Sequence, residues 1–185
     1  MRKIHHSGLL LFFCILFLTC TGCVLEEPTI AGKNTLQHID LASLMGHWDE
    51  IGQWGRPEPG KVAAVSVDLS LDDKYLIHIN IKKNKYTPYG PLKERKGKVK
   101  WNPDYAHIVK CALFLNYYQS YYILYLDPDH KTTLICNKRK TKLLVYSKEP
   151  PLSYEQIERI SKAMQDNGFD PEKFKTQFAC ELKNF

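Results

Sequence analysis

From Trp48 to Lys148 the chain repeats one pattern: short runs with an apolar residue at every second position, broken by turns and not by helices. Alternation at period two sends successive side chains to opposite faces of a strand. Ala63, Val65, Val67, Leu69 and Leu71 alternate with Ala64, Ser66, Asp68 and Ser70. Ile77, Ile79 and Ile81 alternate with His78 and Asn80, and Arg95, Gly97, Val99 and Trp101 with Glu94, Lys96, Lys98 and Lys100. Val109, Cys111 and Leu113 share one face of the next run, and Tyr122, Leu124 and Leu126 one face of the run after it. Asp72-Asp73-Lys74 and Asp127-Pro128-Asp129-His130 read as tight turns. Further strands are expected over 48–54, 132–137 and 142–148. Eight strands with short connections and no βαβ period predict an all-β fold, an eight-stranded antiparallel up-and-down barrel whose closure removes free edges. Trp48 is expected to plug its floor.

The ends of the chain read differently. Arg2 and Lys3 precede an apolar run from Leu9 to Leu18, too short to span a bilayer, so residues 1–22 read as a signal peptide. Thr21-Gly22-Cys23 resembles a bacterial lipobox, with Cys23 as the lipidated residue, although Cys20 stands where such boxes usually carry Leu. Residues 23–35 form a tether, and 36–185 one domain, long enough for a single core. Residues 36–45 are expected to make a turn covering one end. Near the C-terminus, Ser153 with Gln156 is a capping box, Ile157, Ile160 and Met164 form an apolar stripe, and Gly168 ends it. This predicts one α-helix packed outside the barrel, followed by a short strand over 174–180.

The charge is +6 and falls to +4 once Arg2 and Lys3 leave with the signal. The lysines alternate along strands and do not cluster with stacking aromatics, which argues against nucleic acid. At most they favour an anionic membrane surface or an anionic ligand head group. Of six cysteines, Cys111, Cys136 and Cys180 would remain in an oxidising compartment. Cys180 is expected to pair with one of the other two. No Cys/His spacing suggests a metal site, and no cofactor is expected.

Gly46-x-Trp48 alone is a weak signal and gains meaning from two segments further along the chain. Residues 121–127 (Tyr-Tyr-Ile-Leu-Tyr-Leu-Asp) lead into Thr133-Leu134-Ile135-Cys136, and residues 144–150 (Leu-Val-Tyr-Ser-Lys-Glu-Pro) precede the helix. In this order the motifs resemble the lipocalin family, most closely the bacterial outer-membrane lipocalins, over residues 36–180. The resemblance implies a structural floor of Gly46, Trp48 and Lys148. Lys148 stands where the family usually has Arg, so a looser floor is expected. It also implies a lipid-anchored protein of the bacterial outer membrane, facing the periplasm, that binds, stores or transports fatty acids or lysophospholipids.

A barrel of eight strands is about wide enough for one small ligand. The residues expected to line the site are Val65, Val67, Leu69, Ile77, Ile79, Ile81, Val99, Trp101, Val109, Leu113, Tyr122 and Leu124. Arg56, Lys61, Tyr117, Tyr118 and Tyr121 are expected near the mouth, and Glu50 inward near the floor. Two other readings stay open: a filled barrel with a structural or interaction role in the envelope, and an enzyme using Cys111 as nucleophile. The latter lacks an evident base, because His107 lies four residues earlier on the same strand, about 13 Å away. A homodimer is compatible with the sequence.

Overall fold

The computed structural model describes residues 39–55 and 62–176. Eight antiparallel strands run in chain order: β1 (Gly46–Gly55), β2 (Val62–Leu71), β3 (Ile77–Lys85), β4 (Leu92–Trp101), β5 (Ile108–Ala112), β6 (Gln119–Leu126), β7 (Thr132–Asn137) and β8 (Lys142–Ser147). Each pairs with the next, and β1 pairs with both β8 and β2, which closes the barrel. Helix α1 (Tyr154–Asp166) packs on the outside, and a last short strand, β9 (Lys175–Thr176), returns to β1. The predicted architecture is the observed one. Of the final strand expected over 174–180, only β9 falls within the described residues, and Cys23, Arg56, Lys61 and Cys180 lie outside them.

Closure is not uniform along the barrel axis. β1 pairs with β2 only from Gly46 to Asp49, and its upper half pairs with β9 at Gly52 and Gln53. Gly52 permits this: a Cβ there would run into the Phe174 ring and the Lys175 carbonyl. On the far side β4 pairs with β5 only from Lys98 to Trp101, so its stretch from Leu92 to Gly97 has no partner strand on that edge among the described residues. A Cβ at Gly97 would strike the Ala112 carbonyl where β5 leaves the sheet, so glycine allows the close approach at which the barrel parts.

Two apolar clusters result. One lies inside, at the closed end, with Ile39, Leu44, Trp48, Val67, Ala106 and Ile123. The other lies between the outer wall and α1, with Tyr122, Leu124, Leu134, Cys136, Leu143, Val145, Ile160, Met164 and Phe169. The capping box forms as predicted: the Gln156 amide donates to Ser153 Oγ (3.2 Å) and the Ser153 amide to Gln156 Oε1 (2.8 Å). Both clusters and the closed ladder are built from residues between Ile39 and Thr176. A form running from Gly32 to Phe185, without Cys23, therefore keeps every packed and paired element among the described residues.

Candidate ligand-binding cavity

The closed end is built around Trp48. Its indole Nε1 donates to the Leu44 carbonyl (2.9 Å), which ties the ring to the short 3-10 turn Ala42–Leu44. Ile39 and Leu44 complete the plug, as expected for residues 36–45. Lys148 Nζ lies 4.9 Å from the Trp48 ring centre and donates to the carbonyls of Ser43 (2.7 Å) and Met45 (2.8 Å). The ammonium thus replaces a planar fork by binding two backbone oxygens. Burial lowers the Lys148 pKa, and the two carbonyls and the ring face offset the cost of keeping the charge there.

Above the floor lies a cavity of about 470 Å³, within the roughly 300–1,000 Å³ span of small-molecule sites. Val65, Val67, Leu69, Ile77, Ile79, Ile81, Val99, Trp101, Val109 and Leu113 stand on its wall, where the alternation put them. Trp101 is held by its Nε1 donating to the Ala106 carbonyl (2.9 Å).

Tyr122 and Leu124 do not line it. They face outward into the cluster beneath α1, and Tyr121 and Ile123 take the inward positions. The reason is twofold. Both faces of β6 are covered, so both are apolar and alternation alone cannot choose between them. In addition, the β6–β7 register shifts between Ile123 and Tyr125, which leaves Leu124 and Tyr125 on the same outer side.

Polar groups enter the cavity at two heights. Low on the wall, buried Glu50 accepts a hydrogen bond from the Tyr146 hydroxyl (3.1 Å). Burial and the Glu50 carboxyl hold the Tyr146 pKa well above its ordinary value. At the open end, Lys83 and Lys85 of β3, Lys93 and Arg95 of β4, and Lys142 of β8 reach the lining. Lys83 and Lys93 are direct cross-strand partners. Like charges so placed repel, an arrangement that favours an anion between them. Sequence reasoning went no further than an anionic membrane surface or head group for the lysines as a whole and placed none of these cations in the site, although Lys83 and Arg95 share inward parity with Ile81 and Val99.

The two described cysteines are both free and face opposite ways, Cys111 into the cavity and Cys136 under the helix. Burial pushes the Cys111 thiol up to about 11. It is protonated at neutral pH and a poor nucleophile. His107 is not among the cavity-lining residues.

The sequence model of the lipocalin-like domain matches residues 39–179. The chain is 25% identical over 146 residues to the outer membrane lipoprotein Blc of Escherichia coli (strain K12), covering 77% of this chain and 81% of that one. Among solved structures, lobster apocrustacyanin A1 superposes with a TM-score of 0.59 at 16% identity, covering 81% of this chain and 88% of that one. The cockroach allergen Per a 4 gives 0.61 at 10% identity, with 82% and 91% covered. Eight antiparallel strands closed over a capped apolar cup, and a domain match spanning the whole barrel and its outer helix, show that this chain belongs to the lipocalin family.

Proposed function

We propose that this protein is an outer-membrane-anchored lipocalin that binds and carries single-chain anionic amphiphiles, fatty acids or lysophospholipids, for envelope maintenance. The observation that carries the reading is the segregation of the cavity: mostly apolar from the Trp48 floor to mid-height, a stretch where the Glu50 carboxyl is engaged by the Tyr146 hydroxyl, and cationic at the open end. An acyl tail enters toward Val67 and Ile79, each methylene gaining roughly 0.8 kcal/mol before ordering costs. The head group stays at Lys83, Lys93 and Arg95. The outer-membrane lipoproteins among the relatives support anchoring through Cys23. The high thiol pKa of Cys111 disfavours an enzyme on the same scaffold.

The test is displacement of a fluorescent fatty acid from the soluble form running from Gly32 to Phe185, titrated with oleate and with a lysophospholipid. Saturable displacement at one ligand per barrel is expected, and the tighter competitor identifies the ligand class. A folded protein that binds neither up to tens of micromolar, at or weaker than roughly −6 to −7 kcal/mol, would overturn the carrier reading in favour of a filled barrel.

A further inference from the structure

The open end carries side chains that a wetted rim does not require. After β5 the chain makes a turn closed by the Tyr117 amide donating to the Phe114 carbonyl (3.2 Å). At its tip Phe114 and Leu115 are 75% and 82% exposed. Leu113 packs against the Gly97 position, so this tip stands beside β4, two residues from Arg95 and four from Lys93. At the tip of the β3–β4 connection Tyr86 and Tyr89 are also exposed. Two neighbouring loops at one end thus present large apolar and aromatic residues, with Lys85, Lys93 and Arg95 exposed among them.

A cluster of this kind marks an interaction surface, and its charge selects the partner. The opposite end of the barrel also exposes Tyr75 and Leu76, but in a turn where Asp72 and Asp73 outnumber the single cation Lys74, a balance that does not favour an anionic surface. We propose that the open end docks on an anionic phospholipid bilayer. Phe114 and Leu115 enter the interface, the tyrosines sit at head-group depth, and Lys85, Lys93 and Arg95 face lipid phosphates. Aromatic and basic residues together are the usual anchors at that depth. The orientation turns the cavity mouth toward the membrane, so an acyl chain passes between bilayer and barrel with little exposure to water. A lipid on Cys23 does not forbid it: residues 24–38 reach about 50 Å when extended, more than the roughly 33 Å of a ten-residue strand.

The test is flotation of the soluble form running from Gly32 to Phe185 with vesicles of dioleoylphosphatidylglycerol and dioleoylphosphatidylcholine, and with vesicles of the latter alone. Binding is expected to the anionic vesicles and to fall about tenfold or more in their absence or in high salt. The F114S/L115S variant should lose about tenfold or more in vesicle affinity. Tyr154→Ser, an exposed aromatic on the distant helix, should change nothing. Melting temperature and fatty-acid displacement without vesicles report fold and cavity separately, so loss of docking is distinguishable from failure of the carrier reading. A folded F114S/L115S protein that binds vesicles as the parent does would overturn the proposal. So would a parent that ignores anionic vesicles, or one whose apolar tips instead pair two copies in ultracentrifugation.

Discussion

Lys148 shows how one side chain closes a barrel. Its ammonium serves the Trp48 ring and two backbone carbonyls at once. Lys148→Met leaves the Ser43 and Met45 carbonyls without this donor, and should cost about 1–3 kcal/mol in denaturant unfolding. The cation over Trp48 was legible through the family's motif, but its carbonyl partners were not, because they lie in and just after a 3-10 turn with only a weak apolar pattern. On the outer wall, His47 Nδ1 lies 2.7 Å from Asp68 Oδ1 and Nε2 lies 3.2 Å from Asp49 Oδ1. Imidazole donates to both only when protonated, and the Asp68 hydrogen bond raises its pKa above 6.5 against the opposing effect of burial. The folded state therefore holds this proton more tightly than the unfolded chain. The contribution is complete below about 6.5 and fades as pH climbs through the folded value. An NMR titration should place His47 above 6.5, and Asp68→Asn should bring it down toward that value.

At the level of elements, β2, β3 and β4 were readable because one face meets the cavity and the other meets water. β6 was not, because α1 covers its outer face and removes the polar half of the alternation. A buried helix contact thus erases the sequence signal that would reveal it. Strand bulges compound the loss, since a shift such as that after Ile123 reverses parity without a marker residue. The helix itself was legible from its cap and stripe. Ser153→Ala should cost about 1 kcal/mol. Met164→Ala, in the outer cluster, should cost about 2–5 kcal/mol in thermal or denaturant unfolding, yet leave fatty-acid displacement unchanged because Met164 packs on the outer face of the wall and is not among the cavity-lining residues.

For the whole molecule, the cup and most of its apolar lining, Tyr122 and Leu124 excepted, were legible from periodicity, whereas the cationic opening was not. Lysines on alternating strands read as solvated until closure assigns some of them to the inner face. If those charges hold a head group, K93M/R95M should bind oleate about tenfold more weakly, a loss of roughly 1.4 kcal/mol. Methyl oleate, which has no charge to place, should bind parent and variant alike in the same displacement assay. The part of β4 from Leu92 to Gly97, which lacks a neighbour on its β5 side among the described residues, has a separate consequence. An open strand edge is a template for another chain, and the protein lives with one beside its own opening. Lys93, Arg95 and Lys96 make that edge repel its own kind. The charges that favour a ligand's head group also keep concentrated protein from assembling edge to edge into aggregates, so neutralising them should be visible first as a loss of colloidal stability on storage.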